Sequence, residues 1–420
     1  MRFGMFHKPY PLTSDLKALS GIFRRNGFQL YVVGGAVRDF LLGKSCDDVD
    51  LTTDANPDEM LALFPRCIKT GIKHGTLTIP FRGKHYECTT FRTDGDYSDS
   101  RHPDKVDFTK SIHEDLKRRD FTVNALCADC SDGRIIDDFD GIGDMRRRII
   151  RTVGVPDERF AEDALRLVRA LRFASVLNFK IEPETMGAIA KAARAIVNVS
   201  VERINCEFSK MLICDHAGYA LELLLSSGLL ANIIPEISCM LEQGSRLDGL
   251  KSKLSDNSIA ESRLEIRLGL FFGDMDWREA EAVLKRLRFS NRVVKTVTAF
   301  IRNELPDDDC DSVVLKRLIR NISKGNATSF LDFARIRSNA SERFGRQQAE
   351  MRRFLAAGEP VCLSDLCVSG ADMIRMGLKG KRVGELLEKA LEMAYRDPSV
   401  NSNKEAFLGK LRAEFAKGRF

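Results

Sequence analysis

The chain has 420 residues, 44% hydrophobic and 30% charged, with a formal net charge of +6. That is material for several cores, roughly two to four units by domain-size statistics. No run approaches the roughly 18 apolar residues of a membrane span, MRFGMFHKPY lacks a signal h-region, and the cysteines follow no disulfide framework, so secreted and membrane classes are set aside. A soluble protein of the reducing cytoplasm is expected, and the basic excess suits a nucleotide or RNA partner.

Residues 12–29 read as an amphipathic helix, with Leu16, Leu19, Ile22 and Phe23 at helical spacing and Gly27 at its end. Next comes YVVGGAVRDFLLGKSCDDVDLTTD, residues 31–54. It predicts an apolar strand, a tight turn at Gly34-Gly35, a short helix over 36–42 closed by Gly43, and a second strand. A glycine turn that opens a helix favours an anion through uncovered N–H groups and the helix dipole, and Arg38 adds a fork of donors. In the second strand Asp48 and Asp50 share one face, about 6–7 Å apart, while Val49 and Leu51 face the core. Such a pair is spaced to hold a hard cation such as Mg²⁺. A phosphate cradle followed directly by a carboxylate pair points to phosphoryl or nucleotidyl transfer. A dinucleotide-dependent oxidoreductase is excluded, because Gly34-Gly35-Ala36 lacks the G-x-G-x-x-G spacing.

Asn56-Pro57-Asp58-Glu59 predicts a helix start with Asn56 as N-cap and Pro57 at the first helical position. GIKHGT opens onto a strand at 77–79, and His74 is either a turn residue or an active-site positioner. Arg82-Gly83-Lys84 is a hairpin loop, with the return strand at 86–91. On that strand Glu87 is either a third carboxylate beside Asp48 and Asp50 or an outward residue. Residues 93–107 are polar and turn-rich, a loop long enough to be functional. DLKRRDFTVNA then sets a charge run against an apolar segment, which places some of its arginines toward a triphosphate. Cys127-x-x-Cys130 has no second pair at zinc-ribbon spacing, so it is not expected to hold a metal. The basic run Arg146-Arg147-Arg148 closes a first domain near residue 150.

Beyond Pro156 the reading is helical. Residues 158–173 form one strong helix with Asp163, Arg166, Arg169 and Arg172 as a drifting stripe. In VERINCEFSKML, Arg203 and Glu207 stand at i, i+4 as a helix-stabilising pair. Helices alone follow from 216, and Gly358-Glu359-Pro360 marks a boundary before a last helical unit.

GGAVRDFLLG, DDVDLTTDA, GIKHGT, YECTTFR, DLKRRDFTVNA, RTVG, EDALRLVRALRFA and VERINCEFSKML occur in that order over residues 31–212. This ordered set resembles the class II tRNA nucleotidyltransferase and bacterial poly(A) polymerase family. The resemblance implies an α+β molecule, a small mixed-sheet nucleotidyltransferase head followed by an all-helical neck, body and tail. The implied parts are 1–150 as catalytic head, 151–215 as neck, and 216–357 and 358–420 as tRNA-binding body and tail. The implied activity is template-independent addition of C, C and A to the tRNA 3′ end from CTP and ATP, by a two-metal mechanism using Mg²⁺. Asp48 and Asp50 match the family's metal carboxylates and Glu87 a third catalytic carboxylate. Gly34, Gly35, Arg38 and Arg119 match phosphate- and sugar-contacting positions, Asp163 and Arg166 the base-selecting pair, and Arg169 and Arg172 further nucleotide-binding arginines. The implied partners are the tRNA 3′ end, CTP and ATP, with no membrane, and a monomer or homodimer.

The selection chemistry follows from the bases themselves. Cytosine and adenine present an amino donor beside an unprotonated ring nitrogen, whereas guanine and uracil present a carbonyl beside a ring N–H. An acceptor-only Asp and a donor-only Arg therefore accept C and A and reject G and U. The alternatives are a poly(A) polymerase or a CC- or A-restricted enzyme. A full-length loop at 93–107 and a short basic C-terminus favour complete CCA addition. A non-catalytic RNA-binding protein would lack Asp48 and Asp50.

Overall fold

The computed structural model describes residues 8–46, 48–94, 106–241, 245–259, 263–306, 310–338 and 345–416. Helix α1 (Ser14–Arg25) begins after Thr13, whose hydroxyl accepts from the Leu16 N–H, and buries Leu16, Leu19 and Phe23 on one face. Strand β1 (Leu30–Val33) is buried at every position. It is a central strand, which explains why it reads as an unbroken apolar run rather than an alternation. Helix α2 (Gly35–Leu41), strand β2 (Leu51–Thr53) and helix α3 (Pro57–Leu63) follow. The α3 start matches the sequence reading, with Asn56 and Glu59 forming a reciprocal capping box and Pro57 in the first turn.

Strand β3 (Ile68–Gly71) precedes the hairpin β4 (Thr76–Phe81) and β5 (Lys84–Thr90). The hairpin turn has Arg82 at φ 49° and Gly83 at φ 80°, the two left-handed residues of a primed two-residue turn. Strands β6 (Arg92–Asp94) and β7 (Val106–Phe108) pair antiparallel, so both ends of the stretch expected as a loop over 93–107 are tied together. Its middle, residues 95–105, lies outside the described residues. Helix α4 (Ile112–Lys117), strands β8 (Cys127–Asp129) and β9 (Ile135–Ile136), and helix α5 (Gly141–Arg147) complete this part.

The main sheet has seven strands in the order β3-β4-β5-β2-β1-β8-β9. It is mixed, because β2 and β5 run parallel while their neighbours run antiparallel. Cys127 and Cys130 are buried at this sheet, and burial pushes both thiols up to about 12, which leaves them inert.

Past the sheet come strand β10 (Ile149–Ile150), helices α6 (Pro156–Glu162) and α7 (Leu165–Leu177), and strand β11 (Lys180–Ile181). β10 and β11 pair in parallel, stitching residues on either side of position 150 into one body. Helices α8 (Pro183–Ala192), α9 (Val201–Ile213), α10 (Ala217–Ser226), α11 (Leu229–Ile233) and α12 (Pro235–Leu241) follow. The chain divides into two compact units, Met1–Gly244 and Ser245–Phe420.

Among its described residues the second unit is helical: α13 (Ser245–Leu254), α14 (Arg263–Phe271), α15 (Trp277–Arg286), α16 (Asn291–Arg302), α17 (Ser312–Ile322), α18 (Ala327–Ser338), α19 (Gly345–Ala356), α20 (Gly370–Arg375), α21 (Lys381–Arg396) and α22 (Lys404–Ala416). Phe300 and Phe333 stack in one core, and Leu386, Ala390, Phe407 and Leu411 join in another. No helix among the described residues is long and apolar enough to cross a membrane.

Candidate active site

The glycine turn lies where β1 passes into α2. Gly34 sits at φ +70°, a conformation that an L side chain adopts only with strain, and its N–H donates to Leu126 O. That N–H is therefore not uncovered, contrary to the sequence reading, because the turn spends it on extending the β1–β8 pairing. The cationic cover comes from side chains instead. A Cβ on Gly34 would meet Arg119 Nη1 at 3.4 Å, and one on Gly35 would meet Arg38 Nη2 at 3.6 Å. Arg119 is anchored by buried Asp115 at 3.2 Å, while its Nε is buried with no partner, a donor available to an anion. Burial raises the pKa of Asp115, but Arg118 and Arg119 outweigh it and hold the carboxyl below its ordinary value.

Asp48 and Asp50 stand in the segment just before β2 rather than inside the strand. The segment is tied to the sheet by Val33 N donating to Asp50 O, and Cys46 Sγ donates to Asp48 O at 3.0 Å. The parallel pairing of β2 with β5 sets Leu51 opposite Cys88, so the preceding residues, Asp50 and Glu87, run alongside each other. Partial desolvation, then the charges of Asp48 and Glu87, push the Asp50 carboxyl up, with Arg119 opposing. Asp48 and Glu87 each act on Asp50, an anionic surplus at that carboxylate which a hard cation relieves, so the donor set fits a divalent ion. Among the described residues no three such groups close around one point. An ion held by Asp48 and Asp50 would keep positions open for other oxygens, a coordination that suits Mg²⁺. A cavity of about 610 Å³ opens beside Asp48, walled by Tyr10, Phe40, Lys44, Lys84 and Tyr86.

The expected single helix over 158–173 is two. α6 ends at Glu162, Asp163 is extended at φ −146°, and α7 starts at Leu165. The break has a local cause, since Asp163 Oδ1 accepts from Leu165 N at 3.0 Å, the side-chain-to-backbone bond by which Asp caps rather than continues a helix. Asp163 thus stands at the head of α7, off the stripe formed by the arginines. Arg203 of α9 grips it, Nη2 reaching Oδ2 at 2.6 Å and Nη1 reaching Oδ1 at 3.3 Å. Arg166 donates to Arg159 O, Glu162 Oε2 and Arg118 O. Three of its five N–H groups are engaged, leaving two for a ligand.

Arg203 and Glu207 do not pair along α9 as their spacing predicted. Arg203 goes to Asp163, and Glu207 reaches α7, binding Arg172 Nε and lying 3.7 Å from Arg169 Nη1. Tertiary partners on α7 win because both residues sit on the face packed against it. Arg169 also donates twice to Asp120 Oδ2, at 2.9 and 2.6 Å. Asn124 joins the two halves: its Oδ1 accepts from Arg38 Nη1 at 2.6 Å and its Nδ2 donates to Asp120 Oδ1 at 3.2 Å. The guanidiniums of Arg38, Arg169 and Arg172 all pack on the Phe173 ring, at 5.3, 5.3 and 3.7 Å from its centroid. One continuous polar network therefore runs from the glycine turn to α7 and α9.

Asp115, Asp120, Asn124, Phe173, Arg203 and Glu207 contact the residues picked from sequence. The motif DLKRRDFTVNA holds three of them, but nothing in its spacing shows which side chains turn inward. The His74 carbonyl accepts from Arg92 Nη1 at 2.6 Å.

Comparison with known proteins agrees with this geometry. The pattern of the Poly A polymerase head domain matches residues 30–151, and that described as "Probable RNA and SrmB- binding site of polymerase A" matches residues 178–241. The CCA-adding enzyme of Geobacillus kaustophilus is 36% identical over 390 residues, covering 91% of this chain and 92% of that one. That of Bacillus licheniformis is 36% identical over 412 residues, covering 96% of each. The crystal structure of the Bacillus stearothermophilus CCA-adding enzyme in complex with CTP superposes with a TM-score of 0.82 at 32% identity, over 96% of this chain and 97% of that one. A Thermotoga maritima CCA-adding enzyme complexed with tRNA shares the fold, with a TM-score of 0.61 at 20% identity. Relatives at 36% identity over nine-tenths or more of both chains, together with the matched head domain, show that the chain belongs to the class II tRNA nucleotidyltransferase and poly(A) polymerase family.

Proposed function

We propose that the chain adds C, C and A to the 3′ end of tRNA from CTP and ATP, without a nucleic acid template, releasing pyrophosphate. The observation that carries this reading is the network from the glycine turn through Asn124, Asp120 and Arg169 to Glu207, with a carboxylate pair ahead of β2 and an acceptor–donor pair, Asp163 and Arg166, at the head of α7. The reaction is in-line attack of the RNA 3′-hydroxyl oxygen on the α-phosphorus, breaking the bond to the bridging oxygen of pyrophosphate.

Asp48 and Asp50 are the residues that would hold Mg²⁺, which when bound lowers the pKa of the attacking hydroxyl and neutralises the leaving oxygens. Glu87 adds the third negative charge alongside Asp50. Arg119, with its uncommitted Nε, and Arg38 above Gly35 receive the triphosphate at the glycine turn. Asp163 accepts the exocyclic amino group and Arg166 donates to the ring nitrogen of C or A. Arg203 fixes the Asp163 plane, and Glu207 and Asp120 fix Arg172 and Arg169 beneath the bound nucleotide. Residues 1–150 then act as catalytic head, 151–215 as the selecting neck, and 216–357 and 358–420 as RNA-holding body and tail.

The test offers tRNA lacking CCA, tRNA ending in CC, and unstructured oligo(A), each with CTP and ATP, using Asp48→Ala as the inactive control. The expected result is three additions to the first, one to the second and none to the third. An extended A tract on the oligomer identifies a poly(A) polymerase instead, and normal turnover by Asp48→Ala overturns the carboxylate assignment.

A further inference from the structure

The chain's single tryptophan is not in the nucleotide-handling unit. Trp277 begins α15 and is only half-buried. Its ring is one wall of a cavity of about 270 Å³ formed with α16 and α17. Lys295, Thr298, Arg302, Asn303 and Asn321 supply most of the rest, and no carboxylate lines it.

The cations at this cavity differ from those around it. Arg278, Lys285 and Arg292 are spent on Asp276, Glu281 and Glu265. Lys295 and Arg302 are exposed and carry no ion pair among the described residues. Arg278 lies 4.4 Å from the Trp277 ring centroid and Arg302 5.2 Å, and of the two Arg302 lines the cavity. The carboxamides are also partly open. Asn303 Nδ2 donates to Ala299 O at 2.7 Å, and Asn321 Nδ2 reaches Asn303 Oδ1 at a long 3.4 Å. Asn321 keeps its carbonyl oxygen and a second N–H, a donor and an acceptor side by side.

An aromatic face, an amide edge and two unspent cations without a carboxylate select a flat, hydrogen-bonding, anionic ligand. Stacking, edge hydrogen bonds and phosphate contacts are how unpaired RNA is held. The volume decides between a free nucleotide and a polymer. It falls below the roughly 300–1,000 Å³ of a whole small-molecule site, so it encloses a base and leaves the backbone outside on the cations. We infer that this cavity docks one unpaired nucleotide of the RNA substrate, its base against Trp277 and its phosphates on Lys295 and Arg302. The inference rests on the proposed RNA substrate and adds to it a recognition site in the second unit.

Because Trp277 is the only tryptophan, its emission reports this cavity in the intact chain. The full-length protein is titrated with tRNA lacking CCA and, separately, with CTP alone, at low and high salt. A saturable, salt-sensitive emission change with tRNA and none with CTP is expected. Lys295→Glu and Asn321→Ala, at exposed positions, should abolish that change and raise KM for tRNA about tenfold with kcat unaltered. Trp277→Phe, which keeps a ring, should hold KM near the parent value where Trp277→Ala does not. Unmoved emission in a protein that extends tRNA overturns the inference while leaving the proposed reaction standing, as does a parental KM in Lys295→Glu. An equal response to CTP alone overturns the choice of RNA. RNA-dependent emission in a protein that fails to extend tRNA sustains the cavity and removes the reaction.

Discussion

Asp120 shows how one side chain sets both stability and site geometry. It is buried, and burial alone would raise its pKa, yet the charge and hydrogen bonds of Arg169, helped by Arg166 and Asn124, bring it from 3.8 down to about 2. A depressed carboxyl contributes stability that is full above the unfolded value and is lost as pH falls through the folded one, so this contribution disappears between about pH 4 and pH 2. The shift corresponds to about 2 kcal/mol at neutral pH. Asp120→Asn should therefore lower the urea midpoint at neutral pH and show a shallower acid limb than the parent. If the two proteins keep a constant difference in midpoint down to about pH 2, the carboxylate charge is not the source. The same substitution frees Arg169, which links the acid-stability measurement to a weaker hold on the nucleotide.

At the scale of elements, the edge proposed to select the base is made by three helices and not by one. α6 and α7 are parted at Asp163, and α9 supplies the arginine that orients it. A carboxylate capped from one side by Leu165 N and clamped by Arg203 presents its remaining lone pair in one direction. Arg203→Ala removes a charge-assisted bond worth roughly 1.5–3 kcal/mol. We expect discrimination of CTP over UTP to fall about tenfold, with KM for tRNA unchanged, as read from single-nucleotide incorporation with each triphosphate. Full discrimination in that variant would mean that α7 alone orients Asp163. Glu207 plays the corresponding part for Arg172 and Arg169, so α9 braces α7.

For the whole molecule, the residues assigned to nucleotide handling all fall within Met1–Gly244, and the second unit has its own cores. Its most exposed weakness is a buried cation. Lys316 is 2% exposed, donates to Tyr395 O at 2.8 Å and pairs with Glu359 at 2.7 Å, tying α17 to α21. Lys316→Met leaves Glu359 with Arg353 alone and the Tyr395 carbonyl without its donor, and should cost about 2 kcal/mol, seen as a lowered calorimetric transition, with part of the loss recovered in Lys316→Met/Glu359→Gln. CTP binding, measured by calorimetric titration below that transition, should be unchanged. Loss of CTP binding would show that the two units are not energetically separable.

Much of this protein is legible in its residues because the signals are local. The strand and turn at 31–35, the Asn56–Glu59 capping box and the Arg82-Gly83 hairpin each depend on backbone preferences a few residues long, and each stands where the sequence put it. The ordered motifs over 31–212 carried the family. What only tertiary packing decided is which charges meet. Asp163 leaves the helix that its neighbours predict, because a side-chain cap competes with helix continuation. Arg203 and Glu207 abandon an i, i+4 pairing worth a few tenths of a kcal/mol for buried partners across a helix interface, where low dielectric strengthens each bond. Arg38 and Arg119 cover the glycines only because α4, the short turn ahead of β8, and α7 bring Asp115, Asn124 and Phe173 beneath them. Residue types pointed to chemistry on a nucleotide, and long-range burial of charge determined which side chains meet around the glycine turn and α7.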